Sequence, residues 1–252
     1  MNKIKYIIFL LAFIIFSINV NASSSIQLKN VDIDLTNKQS LQKGAKVFFN
    51  YCQGCHGLKY MRYTSLADGI GLKETKDKSI EMVIQETFMH SIKGINENNV
   101  ITSSISKENG QKWFGKLPPD LSLVSRYKGS DWLYTYMKSF YKDQSRPWGV
   151  NNLLFPDVGM PHILLKLQGL QVLKDGMEKT NDPDKMLELM ENGDLSKNEY
   201  NNMIKDLVSF LSYVGEPTQL ERKGLGTAVL AFLIVLMICL FFLKREYWKD
   251  IK

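Results

Sequence analysis

Apolar residues recur along this chain at intervals of three and four, in runs separated by long polar stretches rich in glycine and proline. Residues 40–52 place Leu41, Ala45, Phe48 and Cys52 on one face of a helix. Residues 79–89 do the same with Ile80, Val83, Ile84 and Phe88, and residues 130–141 with Trp132, Leu133, Tyr136, Met137 and Phe140. Ser196 and Glu199 have the spacing of a capping box, and Tyr200, Met203, Ile204, Leu207, Val208 and Leu211 follow at helical intervals. No comparable set of alternating strands appears, and there are no internal repeats. The pattern predicts a mainly α domain with long loops over 94–130 and 143–162. Loops that long need something to pack on, and a large, rigid, apolar cofactor would supply it.

Two further apolar runs lie outside that domain. Residues 1–22 have Lys3 and Lys5, an apolar core over 6–18 and small residues before Ser23, the pattern of a cleaved secretory signal. Residues 224–243 carry no charge. At about 1.5 Å per residue they span roughly 30 Å, the hydrocarbon thickness of a bilayer. Lys244, Arg245, Lys249 and Lys252 follow, and Tyr247 and Trp248 suit a membrane interface. The expected organisation is a signal peptide at 1–22, an exported domain at 23–223, a transmembrane helix at 224–243 and a cytoplasmic tail at 244–252. The exported domain then faces the periplasm, and the protein is a single-pass component of the inner (cell) membrane.

The formal charge of +6 does not change this picture. Two charges belong to the leader and two to the tail, so no basic stripe suited to nucleic acid is left on the domain. The acidic residues of 174–199 could steer a basic partner, but a solvated lobe explains them as well.

The cysteines matter more. Cys239 lies in the second apolar run. Cys52 and Cys55 are three apart, which allows a disulfide, a metal site or haem attachment. His56 decides among them, because Cys52-Gln53-Gly54-Cys55-His56 is the C-x-x-C-H pattern of c-type haem attachment. Two thiols on one turn can each add to a porphyrin vinyl group, and the adjacent histidine can ligate the iron. Candidates for the sixth position are His90, His162 and the methionines. Most methionines, including Met82, Met89, Met137 and Met203, fall at core positions of helices. Met160 is different, because it sits in a loop between Gly159 and Pro161, with His162 as its rival two residues on.

At these residues the chain resembles the cytochrome c1 family, the haem subunit of ubiquinol–cytochrome c reductase, the cytochrome bc1 complex. Four blocks carry the resemblance. They are Cys52–His56 with Gly57-Leu58-Lys59-Tyr60, Pro118-Pro119-Asp120-Leu121-Ser122, Phe155-Pro156-Asp157-Val158-Gly159-Met160-Pro161, and Phe210–Pro217 leading into the anchor. The family has a proline where His162 stands in this chain and an arginine near Thr64 in many members. The resemblance implies one covalent haem c on Cys52 and Cys55, with His56 and Met160 as iron ligands. It implies that Arg126, just after the second block, faces a haem propionate.

The fold expected is a cytochrome c-like haem domain with long loops plus one C-terminal transmembrane helix. The function expected is electron transfer from a Rieske-type iron–sulfur subunit to a soluble or anchored c-type cytochrome, in a complex with cytochrome b. The chain serves the reductase as a subunit and has no separate catalytic site of its own. A free-standing anchored electron carrier is the alternative.

Overall fold

The structure, a computed structural model, describes residues 26–74, 78–88, 96–174 and 180–250. The leader at 1–22, Met89, His90 and part of the acidic stretch lie outside the described residues.

Helix α1, Lys38–Val47, starts where the Asn37 side chain accepts from the Ser40 amide. Its apolar face continues into a single π-helical turn, Phe48–Cys52. Strand β1 (Leu58–Arg62) and helix α2 (Tyr63–Gly69) follow. Helix α3 is Ile80–Phe88, and the short strand β2, Val100–Ile101, pairs antiparallel with β1. Helix α4 (Lys107–Phe114) is capped by Ser106 and closed by Gly115. Helices α5 (Val124–Lys128) and α6 (Ser130–Lys138) lead into the hairpin of β3 (Phe140–Lys142) and β4 (Val150–Asn152). Short helices α7 (Leu165–Gln168) and α8 (Pro183–Met186) precede the two strands of a second hairpin, β5 (Gly169–Leu173) and β6 (Leu187–Asn192). Helix α9 (Lys197–Gly215) and helix α10 (Gln219–Tyr247) end the chain.

The architecture is mostly helical, as expected, and the capping box of Ser196 and Glu199 is present with both of its hydrogen bonds. Three differences from the sequence reading have physical reasons. The three two-stranded sheets escaped notice because each strand has only two to six residues, too few to display alternation. The expected loop 94–130 holds α4 and α5, both short. Helix α6 stops at Lys138 instead of 141 because the Ser139 hydroxyl bonds back to Thr135 O and Phe140 turns into a strand against Asn152.

The core forms where α1 lies against α9. At Gly44 the two backbones meet so closely that a Cβ would sit 2.0 Å from Asp206 O, so glycine is required there. Ser40 Oγ donates to Asp206 Oδ1 across the same crossing. Leu41, Ala45, Phe48, Ile204, Val208 and Phe210 are fully buried around it. A smaller cluster of Phe140, Val150 and Val158 supports the loop that carries Met160.

Helix α10 begins five residues before the apolar run and ends four after it. It is long and apolar enough to cross a membrane, and none of its residues is buried.

Candidate haem site

The π-turn sets the cysteines. Gln53 N donates to Phe48 O, five residues back, and the Cys55 and His56 amides both donate to Cys52 O. Such one-turn widenings occur at functional positions because they shift a side chain relative to the helix that carries it. Cys52 and Cys55 are free thiols. Burial, with Cys55 beside it, pushes the Cys52 thiol up to about 12, and burial raises Cys55 as well. A redox-active C-x-x-C pair needs the opposite, a depressed thiol.

The ring of His56 is held by its Nδ1, 2.7 Å from Pro119 O. A carbonyl can only accept, so Nδ1 carries the proton and Nε2 keeps its lone pair free for a metal. Burial lowers the His56 pKa, against the opposing influence of that bond and of Asp120.

Pro119 belongs to a block whose purpose the sequence did not disclose. Asp120 Oδ2 accepts from Lys59 N at 2.8 Å, and its Oδ1 accepts from Ser122 N at 3.0 Å. Leu121 N donates to Gly57 O, and Tyr60 N donates to Ser122 Oγ. Residues 118–122 therefore clamp residues 56–60. Gly57 is tightly enclosed, since a Cβ there would lie 3.1 Å from Asp120 Oδ2 and 3.2 Å from Ile101 O.

Met160 lies in the loop after β4. Asp157 in that loop has φ 61, a left-handed conformation uncommon outside glycine, although aspartate is among the residues that tolerate it. It is fixed by Arg146 at 2.7 Å and by its amide bond to Asn151 Oδ1 at 2.9 Å.

A cavity of about 450 Å³ receives Cys52, Cys55, His56 and Met160 together, with Trp132 and Tyr136 among its other lining residues. Its surface is mainly apolar. That size and character, with a few convergent donors, fit a large planar cofactor. The donor set also fits: two thiols, an imidazole nitrogen with a free lone pair and a thioether are the set a c-type haem uses.

His162 does not line this cavity. It is buried and stacked on Phe140 at 4.8 Å and 5°. Burial lowers its pKa to about 4, which Gln168 beside it opposes. Arg126 is exposed and also lies off the cavity, its stem close to Gly215. Among the described residues, the cations that line the cavity are Lys116 and Lys128. Two members of the acidic stretch, Asp182 and Asp184, are engaged by Lys29 at 2.5 and 2.8 Å.

Known proteins resemble this chain along most of its length. The model of the Cytochrome C1 family matches residues 32–251. Cytochrome c1 of Allochromatium vinosum is 46% identical over 227 residues, covering 89% of either chain. A protein of Nitrosomonas europaea named ammonia monooxygenase gamma subunit is 39% identical over 252 residues, the whole of both chains. Cytochrome c1 of Rhodospirillum rubrum is 27% identical over 241 residues, covering 84% of this chain and 82% of its own.

Proposed function

The chain belongs to the cytochrome c1 family, and on that premise we propose that it is the haem-bearing, membrane-anchored electron-transfer subunit of a quinol–cytochrome c oxidoreductase. It accepts electrons from an iron–sulfur protein and passes them to a soluble c-type cytochrome. The observation that carries this reading is the single cavity shared by Cys52, Cys55, His56 and Met160. Cys52 and Cys55 would hold a haem through thioether bonds, and His56 and Met160 would ligate its iron. Bound there, a haem would supply one-electron chemistry. Pro119 aims the imidazole, and the apolar wall of the cavity keeps water away. Lys116 and Lys128 line the cavity and would be available to pair with haem propionates, as would Arg126 on the family resemblance.

The domain at 23–223 sits on the periplasmic side after removal of 1–22, and the basic tail after 243 stays inside. The anchor and the domain are joined by only three residues, 216–218. A connection of that length favours a fixed subunit over a free-standing carrier.

The Nitrosomonas relative suggests a second reading, since it aligns along the full length of the chain under a different name. Purification from detergent extract separates the two. Recovery together with a cytochrome b and an iron–sulfur protein is the expected result. Recovery with monooxygenase subunits in their absence would overturn the reductase assignment. On denaturing electrophoresis the haem should stay with the chain, and changing Cys52 and Cys55 to Ser should release it.

A further inference from the structure

Tyr136 was read from the sequence as filling for the face of a core helix, but the structure gives its hydroxyl a specific partner. The hydroxyl donates to Met160 Sδ at 3.5 Å, within the longer range that sulfur acceptors require. The ring is held on two sides. Trp132, one turn earlier on α6, stacks against it at 4.9 Å and 11°, and Phe140 meets it edge-on at 5.2 Å and 70°. The backbone at this position is held too, because Asn152 Nδ2 donates to Tyr136 O at 2.8 Å. Asn152 lies on β4, the strand from which the Met160 loop departs. One side chain thus joins α6 to the methionine loop at the sulfur itself.

We propose that Tyr136 is a positioning residue for Met160, directing one lone pair of the thioether toward the cavity by occupying the other. The proposal rests on Met160 as the axial ligand assigned above.

Its consequence follows from elementary bonding. A thioether sulfur has two lone pairs. Rotation about the last bonds of a methionine side chain is soft, so an unrestrained sulfur samples several directions. A protonated phenol is an O–H donor. Its bond selects the rotamer whose remaining lone pair faces the cavity, and it also withdraws electron density from the sulfur. A poorer donor stabilises the more positive, oxidised iron less. The bond therefore raises the reduction potential. Sulfur is a weak acceptor, so the expected change is about threefold in the reduction equilibrium constant, which is roughly 30 mV at 59 mV per tenfold for one electron.

The test is a double-mutant cycle on the purified, haem-loaded membrane protein, read by redox titration and by the visible band of sulfur-to-iron ligation. Tyr136→Phe should lower the potential by about that amount and move the band, with covalent haem retained. In a Met160→His background the same substitution should leave the potential unchanged, because no sulfur remains. An unshifted potential in the first arm overturns the proposal. So does an equal shift in both arms, which would mean that the hydroxyl acts on the cavity as a whole. Phenylalanine keeps the ring and its stacking, so loss of covalent haem from Tyr136→Phe would also overturn it, by giving the hydroxyl a folding role instead. A Met160→Leu protein serves as the separate check on the ligand. If its reduced form fails to bind carbon monoxide and its potential is unmoved, the axial assignment fails, which is distinguishable from a silent Tyr136→Phe beside a responsive Met160→Leu.

Discussion

At the scale of single residues, chemistry made the site legible. The C-x-x-C-H pattern sets two thiols and a histidine at fixed spacing, so Cys52, Cys55 and His56 could be proposed as haem-binding from the sequence alone. Met160 stood out because glycine and proline bracket it. Arg126 and Lys128 are two positions apart on α5, about 200° around a helix, and sequence cannot say which side faces in. The structure has Lys128 and not Arg126 among the residues lining the cavity, although both side chains are exposed. The partner of Tyr136 was equally hidden, since nothing local links position 136 to position 160. His162 and Met160 now separate cleanly as variants. Met160→Leu is expected to lower the reduction equilibrium constant on the order of tenfold or more and to admit carbon monoxide to the reduced protein. His162→Ala removes a buried ring stacked on Phe140. It is expected to cost about 2–3 kcal/mol in denaturant unfolding while leaving carbon monoxide excluded.

Elements tell a different story. Long amphipathic helices were legible because their apolar faces repeat several times, and α9 announced its own start through Ser196 and Glu199. The π-turn at 48–52 was not, since one extra residue in a turn leaves the periodicity almost unchanged. The block at 118–122 served in the sequence only as a mark of resemblance. In the structure it is a brace, with Asp120 holding two backbone amides and Pro119 holding the His56 ring. Asp120→Ala is expected to cost about 1–2 kcal/mol, since the bonds are charge-assisted but partly open to water. It should also broaden the haem spectrum by freeing the imidazole, which thermal melts and magnetic resonance of the holoprotein would register. The crossing of α1 and α9 is less forgiving. Gly44→Ala places a methyl group against Asp206 O, and an expected loss of about 3 kcal/mol should appear as a lower yield of haem-loaded protein. A Gly44→Ala protein as stable as the parent would show that the helices separate freely.

For the whole molecule, the join between domain and anchor is shorter than hydropathy implies. The apolar run begins at Gly224, which leaves the eight residues 216–223 after the end of α9. The structure closes that gap, because α10 starts at Gln219. Residues 216–218 are all that remains, with a random-coil reach of about 10 Å. The Arg222 guanidinium bonds Glu216 across the turn and holds its carboxyl below the usual carboxylate range. Hydropathy could not show this, because a helix may run past its apolar segment into water with polar residues. Inserting a long Gly/Ser segment after Pro217 is expected to slow quinol-driven reduction of the haem severalfold in membranes, while the same variant solubilised and reduced by a small-molecule donor behaves normally. Unchanged quinol-driven rates would show that the short join has no role.

A join of three residues makes the domain an instrument mounted on a post, and a mounted instrument has a bearing. Every copy in a membrane should present its haem plane at one inclination to the bilayer normal, as compass needles share a heading. That is a property of the population, and it can be seen directly. In stacked, oriented membranes the haem resonance should vary with the angle of the magnetic field, and the Gly/Ser insertion should wash the variation out. For a mobile donor, a common bearing replaces a search over all orientations with a search over position within a plane. The protein then meets its partner by standing still.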